Sequence, residues 1–440
     1  MNLTSLIGHV IELLQLIENS QQPADRIASS FFRERKYLGA KDRRFISETV
    51  FGIIRHRRYV EALLEQYLIE HPAHAEIDDR QHRFLTLYMI FALSSAQVDP
   101  STSAPESYWK MTFPKVELPP FIEWMSAHIT LDYLDVDNIV RLGVKYSFQD
   151  WMVEEWHEQV GEEVEHLLQA LNAPAKVTLR VNVLKVMRED CRLRLLQEGI
   201  ETEPTNISPA GLIAKKRFNI QSSQAFKDGW FEMQDEGSQI VSLIANPKPG
   251  EIVIDACAGA GGKSLHLADL MNDRGEIIAI DVERKRLSEL QLRAHRAGVH
   301  SIRLQLREEL LPENLTGKAD LVLVDAPCSG VGTIRRNPGM KWSISESLVR
   351  HYAEKQRSIL DFNSQFVKQG GRLVYATCSL IRKENEEVVS AFLSSHEDFE
   401  SNTPNEAGHQ FGLSIKDGML KLFPHIHDTD GFFIAMMRKQ

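Results

Sequence analysis

Four cysteines in 440 residues, at positions 191, 257, 328 and 378, leave no CxxC pair. That scarcity excludes a disulfide framework and a zinc knuckle, and no metal is expected; free thiols in a reducing cytosol fit instead. Long apolar runs are also missing, since none approaches the roughly 18–20 residues that cross a bilayer. The opening stretch, MNLTSLIGHVIELLQLIENS, lacks a basic start and carries Glu12 and Glu18. It reads as an amphipathic helix rather than a signal peptide, and a cytoplasmic protein with no membrane partner is expected. An excess of positive charge is absent too: 51 Lys and Arg stand against 61 Asp and Glu, for a net charge of −10. A chain coated uniformly for nucleic acid is thereby excluded. Residues 33–58 are the exception, with nine Lys or Arg against three acids. Such a stretch is either one RNA-binding face or a solvated helix surface.

A chain of this length exceeds one ordinary core and predicts two to four domains. Little Gly or Pro interrupts residues 1–100, and apolar positions recur at three- and four-residue spacing, as in Val60, Leu63, Leu64 and Leu68. That is helical patterning. A Pro- and Ser-rich connector over 99–120 is followed by more helix to about 143. From 145 a helix over 151–171, a strand over 177–184 and a helix through 191–199 predict a small α+β module. From 236 strands and helices alternate. Strands are expected at 251–257, 276–282, 301–306, 319–326 and 372–378, with a last strand over 431–439. This spacing implies βαβ units and a mostly parallel sheet. The expected fold is α/β, with an all-α domain over 1–143, the small module over 144–235 and the parallel-sheet domain over 236–440.

The loop after the first strand of that sheet is Ala258-Gly259-Ala260-Gly261-Gly262-Lys263-Ser264. A phosphate loop of the form GxxxxGK[ST] needs glycine where Cys257 stands, and GxGxxG needs one where Ser264 stands. Both readings fail. What remains is a strand, a glycine turn and a helix start, whose amides can approach a polar ligand closely. Asp281, at the end of the second strand, is suited to ribose hydroxyls. Together they fit an adenosyl cofactor such as S-adenosylmethionine; a turn serving only strand–helix packing is the alternative.

Cys328 and Cys378 each follow an apolar strand, LVLVDAPC and RLVYATC. In an open parallel sheet the ligand crevice lies just past the strand carboxyl ends. Two thiols there suit methylation of a pyrimidine at C5, a poor nucleophile until a thiolate adds to C6. Asp325, three residues before Cys328, would hold the N3/N4 edge of a cytosine, and the second thiol would assist release of the adduct. Core packing is the alternative for any cysteine; it is the better reading for Cys257, while Cys191 reads as an ordinary helix residue.

The runs DACAGAGGKSLHLA (255–268), DAPCSGVGTIRRNPGMKW (325–342), YATCS (375–379) and FEMQDEGSQIV (231–241) resemble motifs of the Sun/Nop family of RNA cytosine-5 methyltransferases. Residues 39–68 resemble the NusB-like helical domain of its RsmB-type members, and 145–156 with 179–185 resemble their small RNA-binding module. The resemblance implies a Rossmann-like methyltransferase domain using S-adenosylmethionine. It implies Cys378 as the nucleophile and Cys328 as the cysteine needed for release. Cys257, Ala258, Gly259, Ala260, Gly261, Gly262 and Lys263 would form the cofactor loop, with Asp281 on the ribose. Asp325 would lie between cofactor and base, and Lys263 would also reach the active centre. Arg335, Arg336 and Lys341 would meet RNA phosphates. Two departures stand out. Ala260 replaces the family's usual proline, and the region LQLREEL (304–310) offers Glu308 where an aspartate usually lies near the adenine.

The implied activity is C5 methylation of a cytosine in RNA, most like small-subunit ribosomal RNA. The target base must leave its stack, so a single-stranded or loop target is expected, met by a monomer. The alternatives are a methyltransferase acting on transfer RNA, a non-catalytic RNA-binding protein, and a nicotinamide oxidoreductase. The last would share the fold but give two strand-end thiols no purpose.

Overall fold

The computed structural model describes residues 2–20, 22–79, 82–94, 109–128, 131, 136–402 and 411–440. The chain divides into two compact units, one of residues 1–172 with 336–343, the other of 173–335 with 344–440.

The first unit is helical. Its helices include Leu3–Glu18, Ala40–Arg55, Arg57–Glu70 and Arg83–Ser94, which bury Ile7, Val10, Val50, Leu63, Leu64 and Tyr67 at the expected three- and four-residue spacing. The connector expected over 99–120 lies outside the described residues up to 108. Its end is helical instead: Leu118–His128 carries Pro119 and Pro120 in its first turn, where a missing N–H costs nothing. Helices Asn138–Tyr146, Asp150–Val160 and Val164–Asn172 also belong to this unit, as does the segment Arg336–Ser343.

The second unit holds two sheets. The small one has strands β1 (Val177–Val181), β2 (Thr202–Pro204), β3 (Gly211–Ala214) and β4 (Phe231–Met233), ordered β2-β3-β1-β4 and antiparallel throughout. Helix Arg188–Gln197 buries Cys191 against it, and that burial pushes the thiol up to about 12. Cys191 is a packing residue.

The large sheet comprises β5 (Ile252–Asp255), β6 (Glu276–Asp281), β7 (Ile302–Leu306), β8 (Ala319–Asp325), β9 (Val367–Thr377), β10 (Phe399–Ser401), β11 (Met419–Leu422) and β12 (Phe432–Lys439). Its order is β10-β12-β9-β8-β5-β6-β7, with β11 on β12. Strands β5 to β9 pair in parallel, and β12 returns antiparallel to β9. Apolar side chains fill both faces, as continuous runs such as LVLV (321–324) require. The chain runs outward from β5 through β6 to β7, then resumes at β8 on the other side of β5. This reversal is a topological switch point, where an open α/β sheet leaves a crevice.

Candidate active site

Because β5, β6, β8 and β9 are parallel, the residues after each emerge at the same edge of the sheet. Four predicted elements meet there: the glycine loop after β5, Asp281 at the end of β6, Asp325 at the end of β8 with Cys328 just beyond it, and Cys378 after β9.

The glycine loop leads into helix Gly262–Leu270. Gly261 adopts φ +85°, and a Cβ there would lie 2.0 Å from Leu290 Cδ1, so only glycine suits both the turn and the packing. Asp281 is buried and accepts from the Gly259 N–H and the Glu283 N–H, each at 2.8 Å. Its oxygens retain lone pairs that a ribose diol can use. Above Gly259 an added Cβ would meet no atom within 4 Å, so the backbone there is open to a ligand. The first amides of the helix lack acceptors within the helix itself. A glycine cradle, free amides and a buried strand-end carboxylate fit an adenosyl group.

The loop is held from beneath by groups that sequence reasoning missed. Arg293 donates to the Ala260 carbonyl at 2.6 Å and to Oε2 of Glu232 on β4 at 3.1–3.2 Å. Arg180 on β1, wholly buried, is paired with Asp269 and donates to Gln234 at 2.6 Å. Asp255 lies beneath the loop and accepts from the Ser264 hydroxyl at 2.6 Å. Burial pushes its carboxyl up to about 6, against the hydrogen bond from Ser264.

Lys263 donates to Asp325 Oδ2 at 2.7 Å. Burial alone would lower the Lys263 ammonium, but the adjacent Asp325 charge and hydrogen bond reverse the direction and hold it above its ordinary value. The sulfurs of Cys328 and Cys378 lie 3.4 Å apart. Their mutual hydrogen bond, followed by burial, raises Cys328 well above an ordinary thiol. Cys328 therefore keeps its proton at neutral pH. At Cys257 burial, then the charges of Asp255, Asp325 and Asp281, push the thiol up, and its place in the glycine loop fits packing.

The turns behind the two sulfurs share internal supports. The Gly332 N–H donates to the Cys378 carbonyl at 2.9 Å, and a Cβ on Gly332 would lie 2.1 Å from the Gly431 carbonyl oxygen. Glu384, fully buried, accepts from both Ser329 and Ser379, the residues directly after the two cysteines.

Several cations expected at RNA phosphates are employed internally. Lys341 has no exposed surface; within the helical unit its ammonium donates to the carbonyls of Arg55 and Tyr146, at 2.9 and 3.1 Å, and to Asn172 Oδ1 at 2.5 Å. Arg335 is buried against Asp430, at 3.0 Å. Of the three only Arg336 is exposed. The basic stretch is similarly depleted. Arg35 pairs with Glu12, Arg57 with Glu18 and Glu61, and Arg58 with Asp150, while Arg43 donates to the Leu38 and Arg35 carbonyls. Arg33, Lys36, Lys41 and Arg44 remain exposed, though Arg44 pairs with Glu48 at 2.9 Å. Glu308 is exposed in the short turn after β7, beside Glu309, which pairs with Arg284.

Two family profiles match the chain. One, described as 16S rRNA methyltransferase RsmB/F, covers residues 242–438, and the other, an RsmF/B-like ferredoxin-like domain, covers 148–221. A protein of Synechocystis named probable ribosomal RNA small subunit methyltransferase B is 34% identical, over 91% of this chain and 92% of that one. Its namesake in Bacillus subtilis is 31% identical over 100% of both chains. The crystal structure of a methyltransferase homolog from Pyrococcus horikoshii is 29% identical, with a TM-score of 0.60 over 69% of this chain and 100% of that one.

Proposed function

The chain belongs to the RsmB/F family of methyltransferases, with S-adenosylmethionine as methyl donor, and from that premise we propose that it methylates C5 of a cytosine in small-subunit ribosomal RNA through a covalent cysteine adduct. The observation that carries this reading is the 3.4 Å pair of sulfurs at the ends of adjacent parallel strands, beside the Lys263–Asp325 ion pair. Both relatives are named for the small ribosomal subunit, which favours that RNA over transfer RNA.

In this reading the Cys378 thiolate adds to C6 of the flipped base, forming a C–S bond and making C5 nucleophilic. The bound cofactor supplies an electrophilic methyl group. Asp325, fixed by Lys263, holds the N3/N4 edge of the base while charge moves through the ring. After C5 has taken the methyl group, its proton passes to solvent and elimination breaks the C–S bond. Cys328, holding its proton, donates to the departing Cys378 thiolate and so favours release. The loop 257–263 and Asp281 bind the cofactor. Residues 1–143 serve as a NusB-like RNA-binding domain and 144–235 as an RNA-binding module, in a monomeric cytoplasmic enzyme. Among the described residues no helix is long and apolar enough to cross a membrane.

The test is adduct trapping with transcribed small-subunit ribosomal RNA and S-adenosylmethionine on a denaturing gel. Cys378→Ala is expected to abolish methyl transfer without adduct, while Cys328→Ala accumulates a covalent protein–RNA species. An adduct from Cys378→Ala alone reverses the roles. Methyl transfer at a position other than C5, read by bisulfite mapping, overturns the chemistry.

A further inference from the structure

Glu384 is a carboxylate with no exposed surface, in the short turn Arg382–Glu384 that follows the second cysteine. Both of its oxygens are engaged. Oε1 accepts from the Ser329 N–H at 2.7 Å and from the Gln356 amide at 3.1 Å. Oε2 accepts from the hydroxyls of Ser329 and Ser379, each at 2.5 Å. One residue therefore grips the turn behind Cys328 and the turn behind Cys378, which lie 50 positions apart in the chain. Its neighbour completes the grip: the Asn385 amide donates to the Ser379 carbonyl at 2.9 Å and its oxygen accepts from Thr377 at 2.6 Å. Removing a buried carboxylate from the water that solvates it is costly unless its acceptor sites are filled. A core built only for packing would place an apolar side chain here.

We propose that Glu384 is a positioning residue that sets the separation of the two active-site sulfurs by tying Ser329 and Ser379 to one carboxylate. Charge-assisted hydrogen bonds hold geometry more tightly than neutral ones. A hand-off between sulfurs requires the pair to stay in reach through addition and elimination, where a displacement of about 1 Å costs on the order of 100-fold in rate. The carboxylate also acts on the proton. After the Cys378 hydrogen bond and burial, the Glu384 charge contributes to the elevation of Cys328, which keeps that thiol protonated. The two serines give the arrangement a side: Ser379 supports the residue read as nucleophile, Ser329 the residue read as its release partner.

This inference rests on the two-cysteine reading above, and its test separates the two. Full-length Glu384→Gln, Ser329→Ala and Ser379→Ala are assayed with transcribed small-subunit ribosomal RNA. The readouts are turnover, S-adenosylmethionine affinity, and the rate of adduct formation in a Cys328→Ala background. Glu384→Gln is expected to lower turnover about 100-fold with cofactor affinity unchanged. Ser379→Ala slows adduct formation in the Cys328→Ala background, whereas Ser329→Ala in the otherwise native chain lets adduct accumulate. The serine variants decide the matter if Glu384→Gln does not fold. Normal turnover in Glu384→Gln, or serine variants that slow both steps alike, overturns the proposal. If Cys328→Ala itself traps no adduct, the two-cysteine reading fails and this inference falls with it.

Discussion

The Lys263 ammonium donates to Asp325 Oδ2 across 2.7 Å, joining the helix that follows the glycine loop to the end of β8. Each charge is the other's counter-ion in a site mostly shielded from water, and breaking such a pair from one side leaves the partner stranded. Asp325→Asn and Lys263→Met are each expected to lower the unfolding free energy by about 3 kcal/mol and methyl transfer by at least about 100-fold. The double variant removes both charges, so its stability recovers toward wild type while its activity does not. Denaturant unfolding and single-turnover methylation of all four chains check this. Additive stability losses would count against a direct pair.

The glycine loop, read above as the cofactor site, has Ala260 where the resembled motif has proline, and Arg293 restrains it through the Ala260 carbonyl. Glu232 on β4 orients that guanidinium, so the small sheet braces the loop. Arg293→Met removes the restraint and should weaken S-adenosylmethionine binding about tenfold, the worth of one charge-assisted hydrogen bond. Glu232→Gln should act in the same direction, because Arg293 loses its orienting charge. Calorimetric titration of cofactor into each variant measures this; unchanged affinity in both would show that the loop holds its shape alone.

The strand ends were legible because apolar runs announce buried parallel strands, and thiols one to three residues beyond them had one crevice to enter. LVLVDAPC and RLVYATC therefore gave both the elements and the pair. The supports were illegible for a different reason. Arg293 reaches Glu232 across 61 positions and Ala260 across 33, Glu384 reaches Ser329 across 55, and nothing in their local sequence marks them as buried. The cations after Cys328 misled in the opposite sense. Arg335 and Lys341 carry the composition of a phosphate site, yet both are buried with internal acceptors, and a one-dimensional charge count cannot see burial. Short strands also escaped: Phe399–Ser401 and Met419–Leu422 have too few residues for a period to emerge.

Asp255 gives the parallel-sheet unit a pH dependence with a definite sign. Its ordinary value is 3.8 and burial raises it to about 6 in the folded chain. The folded state thus holds this proton more tightly than the unfolded state does. The resulting stabilisation is full below 3.8 and is lost as pH rises through about 6. Asp255→Asn keeps an oxygen for the Ser264 hydroxyl and cannot ionise. Wild type and variant should be alike near pH 4, with the variant gaining relative stability up to pH 7, by at most about 3 kcal/mol. Paired thermal melts across that range test it, and a difference independent of pH would mean that Asp255 ionises in the fold as readily as outside it.

Lys341 poses the sharpest contrast between a phosphate ligand and an internal strut. Its ammonium meets the carbonyls of Arg55 and Tyr146, the Asn172 side chain and the Phe148 ring, all within the helical unit. Burial, then the nearby Arg55 charge, holds it well below the ordinary lysine value. Because the unfolded chain binds this proton more readily, stability should rise with pH up to the ordinary lysine range. Lys341→Met fills much of the volume but orphans three acceptors, each worth about 1–3 kcal/mol when left buried and unpaired. A loss of about 3 kcal/mol is therefore expected, and with it the loss of that pH trend. A phosphate contact would behave otherwise: its removal lowers the salt dependence of RNA affinity by about one counterion and leaves stability alone. Unfolding curves and RNA titrations at several salt concentrations, run on the same variant, distinguish the two. An unchanged salt slope with a destabilised fold identifies the strut; the reverse pattern returns Lys341 to the RNA.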